Sequence, residues 1–273
     1  MDPETQRGGV EPPADPPDDP PLYKLGNSEE RIQSVAHSLG LVVAAFAVGF
    51  ALAILGLNVA GLFGLSYSGG QSLPVELQAA AAALQFVGFL VVGLAYLRWR
   101  GTDVDLFRIR VPSLREIGWV IAGLVGLFVL LNVVSVIIST LGVESAENAA
   151  VVQGREQPTL FLYLIGVTIL FTAPAEELLF RGLVQGLFRK AYGVVPGILI
   201  ASVLFGVVHF VALSGSGSRL PYIAVAAALG VVLGAVYERT ENLAVPILVH
   251  AGYNAILFYA AYLAATGQIE MPT

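Results

Sequence analysis

The chain has 273 residues, of which 56% are hydrophobic and only 12% charged, with a mean hydropathy of +0.77. An ordinary globular domain is about a quarter charged; a soluble chain this apolar cannot cover its surface with polar groups, whereas a chain dissolved in lipid has no need to. The net charge of −6 argues against nucleic acid as a partner, and the absence of cysteine excludes disulfides, thiolate metal sites and a cysteine nucleophile.

In chain order, the first 30 residues hold eight of the twenty acidic residues and seven of the fifteen prolines, with little to bury. That composition predicts a disordered, acidic, proline-rich tail over 1–33. It lacks the basic start and apolar core of a signal peptide. Seven apolar runs follow, at 36–65, 75–97, 117–142, 160–188, 194–213, 221–237 and 243–265, each near or above the roughly 20 residues that span a bilayer as helix. The expected fold is therefore all-α, a polytopic membrane helix bundle of about seven transmembrane helices. The first run is long enough to tilt or break. The pairs Gly182/Gly186 and Gly230/Gly234 have small-xxx-small spacing and are read as packing alone.

Basic residues predict the orientation. Arg7, Lys24 and Arg31 precede the first span; Arg98, Arg100, Arg108, Arg110 and Arg115 follow the second; Arg189 and Lys190 follow the fourth; Arg239 follows the sixth. With seven spans these lie on one side, and Arg155 and Arg219 lie on the other, a bias of eleven to two. Positive loops stay cytoplasmic, which puts the amino terminus inside. The organisation read from this is a tail (1–33), amino-terminal transmembrane helices with a basic loop (34–150) and a polar-bearing transmembrane core (151–273).

The run "AEELLFRGL" at 175–183 places Glu176, Glu177 and Arg181 in an otherwise apolar span. Each ionisable group inside a span costs about 2.5–3.5 kcal/mol on insertion scales, so the three must face the bundle interior or water. Glu177 and Arg181, four apart, share a helix face and can pair. Glu176, rotated by about 100°, is left without a local partner, poised to take a proton. Pro174 cannot donate to the carbonyl of Leu170, so the helix ladder is broken just before the pair. Two later spans also carry polar groups: His209 with Phe205 four residues before it, and His250 with Asn254 four residues after it. His37, at the start of the first span, reads as interfacial, and Ser202 as ordinary polar packing.

The E-E-x-x-x-R of Glu176, Glu177 and Arg181, the F-x-x-x-H of Phe205 and His209, and the H-x-x-x-N of His250 and Asn254 resemble the three signature motifs of the CPBP intramembrane proteases, the CAAX prenyl endopeptidase and bacteriocin-immunity (Abi) family. The resemblance covers roughly 160–265. It implies an intramembrane endopeptidase of the plasma membrane acting on a membrane-bound or lipidated peptide or protein, prenylated CAAX tails in the eukaryotic members.

On that reading Glu176 is the general base on water and His209 holds the water and shuttles its proton. His250 and Asn254 present donors to the oxyanion, while Glu177, Arg181 and Phe205 support them. The preferred mechanism requires no cofactor. A single divalent metal such as zinc, held by Glu176, His209 and His250, is the alternative, and the family often carries the label metalloprotease. Against it stand the lack of an H-E-x-x-H run and the difficulty of one glutamate serving as ligand and base. Two other classes remain: a non-catalytic immunity or scaffold protein of the same fold, and a proton-coupled transporter, which predicts paired halves that the sequence does not display. Counting helical rise from the span ends places the polar groups between mid-bilayer and the cytoplasmic face, so the site is expected to open to the cytoplasm.

Overall fold

A computed structural model describes residues 21–65, 73–101 and 108–270. Seven of its helical segments are long and apolar enough to cross a membrane, and the chain is an all-helical, multi-pass integral membrane protein. They are α1 (Ser28–Leu62), α2 (Val75–Arg100), α3 (Leu114–Thr140), a composite fourth span (Thr159–Tyr192), a fifth span of α8 (Val194–Val208) with a short 3₁₀ turn to Ala212, α9 (Leu220–Thr240) and α10 (Ala244–Ala265). The fourth span comprises α5 (Thr159–Val167), α6 (Ala173–Glu177) and α7 (Gly186–Tyr192), joined by wide π-type turns at Thr168–Thr172 and Leu178–Gln185. Between the third and fourth spans lies a short helix, α4 (Ala149–Glu156). A two-residue strand before it, β1 (Glu147–Asn148), pairs antiparallel with β2 (Leu213–Ser214).

The long first span does not break. α1 is one helix of 35 residues, about 52 Å at 1.5 Å per residue, and exceeds a hydrocarbon core of about 30 Å. Its excess lies in part at the amino end, where the expected tail stops early. Residues 1–20 of that tail lie outside the described residues, but Ser28 to Gln33 already belong to α1. The Asn27 side chain accepts from the Glu30 amide at 2.9 Å, and Glu29 and Glu30 complement the positive end of the helix dipole. Residues 21–26 run against the turn between α7 and α8. Lys24 donates to the Tyr192 carbonyl and Gly26 to that of Ala191, while Val194 and Val195 donate to Pro21 and Leu22. Gly193 makes this turn at a φ of 91°, and a Cβ there would come within 2.7 Å of the Tyr23 Cα.

These bonds, with others, define the two ends of the bundle. At the basic end, the Leu243 amide donates to the Arg108 carbonyl and the Arg110 amide to Asn242 Oδ1. Ser113 and Glu116 close a capping box on α3, and Arg110 pairs with Glu116 at 2.7 Å. At the far end, β1 meets β2, and Gln157 donates to the Leu73 carbonyl. Successive spans therefore run in opposite directions.

Inside the bundle α1 crosses α2 at Gly49 and Gly88, where a Cβ on Gly88 would lie 2.5 Å from the Gly49 Cα. Backbone cannot yield as a side-chain tip does. Gly88→Ala is expected to cost about 1–3 kcal/mol, the range for overpacking, read as a lowered melting temperature in detergent; an unchanged melt would mean that α1 and α2 do not cross this closely. The rest of the bundle packs α8 on α9, α3 on α9 and α10, and α2 on α5 as well as on α1.

Candidate active site

The fourth span is built around its irregular turns. Pro174 has no amide hydrogen for the carbonyl four residues back. The chain widens just before it, and the Ala173 amide instead reaches the Thr168 carbonyl, five residues back. Such wide turns often mark functional sites. They set how Glu176, Glu177, Arg181 and Gln185 are presented to the neighbouring helices.

The two glutamates diverge. Glu177 is fully buried, and its Oε1 accepts from the Arg181 guanidinium at 3.2 Å and from His250 Nδ1 at 2.7 Å. The expected pair is present, but Glu177 also orients His250. Its second oxygen, Oε2, is buried with no partner among the described residues. Glu176 borders a cavity with 13% of its side chain exposed. Among the described residues it accepts no hydrogen bond, and His250 Nε2 lies 3.7 Å from Glu176 Oε2. His250 therefore stands between the two carboxylates.

Arg181 is held on three sides. Besides Glu177, it donates to the Gly230 carbonyl on α9 at 3.3 Å, and its Cζ lies 4.4 Å from the centre of the Phe205 ring. One turn on, Gln185 donates to the Gly234 carbonyl at 3.3 Å and to Glu238 at 2.8 Å, and Glu238 also receives Arg189 at 3.1 Å. The glycines of α9 thus do more than pack. A Cβ at Gly234 would lie 2.7 Å from Gln185 Oε1, so their lack of a side chain lets polar groups reach the helix backbone. Gly230 also packs against buried Ser202.

Phe205 occupies the centre. Its ring meets His209 edge-on at 4.5 Å between centroids and His250 at 6.1 Å, and Arg181 lies over it. His209 Nδ1 lies 2.7 Å from the Phe205 carbonyl oxygen. A carbonyl only accepts, so Nδ1 carries the hydrogen, and in the neutral ring Nε2 presents a lone pair. Asn254 is tied elsewhere, its amide donating to Thr168 Oγ1 at 3.3 Å. It therefore does not stand free beside His250, although both line the cavity.

Glu176, His209, His250 and Asn254 all border one cavity of about 890 Å³, within the usual range for a binding site. Its walls are largely apolar, including Leu127, Leu131, Leu164, Val208, Leu229 and Leu257. Thr168, Asn148 and Tyr222 add polar groups that sequence reasoning missed, with Asn148 donating to the Tyr222 hydroxyl at 3.0 Å. Tyr222, beside Pro221 at the start of an apolar run, carried a faint signal; Asn148 sits in a loop and carried none. Gln185 was the more legible omission, since Glu177, Arg181, Gln185 and Arg189 recur every four residues.

The cavity occupies the part of the bundle away from the basic loops. The lining takes residues from the far half of α3, from α9 as far as Leu233, from α10 from His250 onward, and from Ser145 and Glu147–Val151 beyond α3. On the basic side of Glu176 the fourth span is sealed, with Leu179, Leu183 and Val184 fully buried beside Glu177, Arg181 and Gln185. Helical rise places each group along its own span correctly, but only side-chain packing decides which half is hollow.

Among the described residues, no three His, Asp or Glu side chains gather closely enough to hold a metal ion.

Residues 158–256 match a family model described as type II CAAX prenyl endopeptidase Rce1-like. The chain is also 28% identical over 207 residues to "Putative membrane peptidase YdiL" of Bacillus subtilis (strain 168), covering 72% of this chain and 78% of that protein. No solved structure matches. The two matches bear out the resemblance to the CPBP proteases, and all three motifs, from Glu176 to Asn254, lie within the matched stretch.

Proposed function

From that resemblance we propose that the chain is an intramembrane endopeptidase of the plasma membrane, hydrolysing a peptide bond of a membrane-associated protein with a water activated by Glu176. The observation that carries this reading is the contrast between two adjacent carboxylates. Glu177 is tied to Arg181 and His250 at 3.2 and 2.7 Å, while Glu176 faces the cavity without a hydrogen bond among the described residues. A carboxylate left open beside a water-sized space is the one able to accept a proton.

In the proposed reaction a water between Glu176 and His209 loses a proton to Glu176 and attacks the scissile carbonyl. The His209 Nε2 lone pair accepts the water's other hydrogen and fixes its direction. His250, steered by Glu177 through Nδ1, uses Nε2 to pass the proton from Glu176 toward the leaving amine. The Asn254 amide, held by a long bond to Thr168, turns from it to donate to the developing oxyanion. The apolar walls exclude bulk water and take the substrate's apolar side chains. No step passes through a metal.

The test is hydrolysis of lipid-anchored peptides by purified protein in bilayers, run in ¹⁸O-labelled water. Solvent oxygen should enter the new carboxylate, and His209→Ala should lower the rate about 100-fold, the low end for a positioned acid–base group. Equal turnover by the wild type and His209→Ala would overturn this reading in favour of a peptide-binding protein of the same fold.

A further inference from the structure

The closed and open ends of the bundle bear on where substrate comes from, if the chain is the peptidase proposed above. Three observations combine. The cavity lining reaches the far end, among Ser139, Ser145, Asn148, Ala212 and Tyr222. His209 begins the last turn of a fifth span that ends at Ala212, so it sits only about 5 Å from that end at helical rise. Beneath the site the chain is solid. Arg181 and Gln185 are each 1% exposed, and residues 21–26 and 108–110 are bonded across the basic end to Ala191–Val195 and Asn242–Leu243.

Charge adds to these three. Among the described residues, ten lysines and arginines belong to the basic end and two, Arg155 and Arg219, to the far one. Arg155 is further neutralised by Glu147 at 2.7 Å. The basic end of a membrane protein stays in the cytoplasm.

We infer that the site is served from the extracytoplasmic face, and that its substrates are apolar peptide segments presented there beside a membrane anchor. The largely apolar walls suit a segment drawn from the bilayer, and the polar rim of Ser139, Ser145, Asn148 and Tyr222 suits the point where such a segment leaves it. On one side α2 contributes Ala82, Gln85 and Phe86 to the wall and on the other α3 contributes Leu127, Leu131 and Ser135, so the substrate lies between these two helices.

The chain has no cysteine, which makes the test direct. Single cysteines at Ser139, Ala212 and Thr172 probe the mouth and the deep wall; cysteines at Ser28 and Lys190 mark the basic end. Intact cells and inverted vesicles are each treated with an impermeant maleimide. The expected result is labelling of Ser139→Cys, Ala212→Cys and Thr172→Cys from outside only, and of Ser28→Cys and Lys190→Cys from inside only. Labelling of the three cavity cysteines from the cytoplasmic side, alone or in addition, overturns the inference, and so does their failure to react from either side. The same cysteines in a Glu176→Gln background should label identically. Unchanged labelling with retained hydrolysis would sink the peptidase mechanism and leave the access intact, so the two failures are distinguishable.

Discussion

Glu176→Gln is expected to abolish hydrolysis and to leave the fold untouched. The amide is nearly isosteric with the carboxylate, and the side chain it replaces is in no ion pair as tight as that of Glu177. It borders the cavity, so the substitution buries no new polar group and strands no partner. What disappears is the proton acceptor. A positioned general base is worth about 10²–10⁴ in rate, so turnover should fall by that factor with the melting temperature unchanged. Cleavage within about tenfold of the wild type would remove Glu176 from the role of base and leave His209 as the candidate.

Arg181→Ala is expected to lower stability together with activity. The guanidinium is 1% exposed and reaches Glu177, the Gly230 carbonyl and the Phe205 ring at once. Removing it leaves the fully buried Glu177 carboxylate without its cation. Breaking one partner of a buried pair costs about 3–5 kcal/mol, whereas replacing both partners by apolar groups is often neutral. The double variant Glu177→Leu/Arg181→Leu should therefore recover much of the lost melting temperature. It should stay inactive, because His250 Nδ1 has lost the oxygen that steers it. A single variant that melts like the wild type contradicts the buried pair. A double variant that regains hydrolysis would show that Glu177 does not position His250.

Much of this was legible before any coordinates. Seven spans followed from apolar length alone, because lipid leaves a backbone crossing it no hydrogen-bond partner outside the helix. The Glu177–Arg181 pair followed from helical spacing and from the cost of a lone charge in hydrocarbon, and the break before Glu176 from Pro174. Where the reading slipped, the cause was local bonding invisible to composition. The proline-rich start suggested a tail to residue 33, yet backbone bonds to the turn around Gly193 hold residues 21–26 against the bundle.

Sequence by itself determined which residues are polar inside the membrane, how many times the chain crosses it and which end carries the positive charge, since each depends only on residue type and distance along one helix. The tertiary structure alone decided that His250 lies between the two glutamates, that Phe205 stands against both histidines, that the glycine carbonyls of α9 receive Arg181 and Gln185, and that the hollow lies away from the basic loops. These are relations between helices. They arise from how closely backbones approach at positions such as Gly230 and Gly234 and from how wide turns around Pro174 aim the side chains, and no periodicity within one span encodes them.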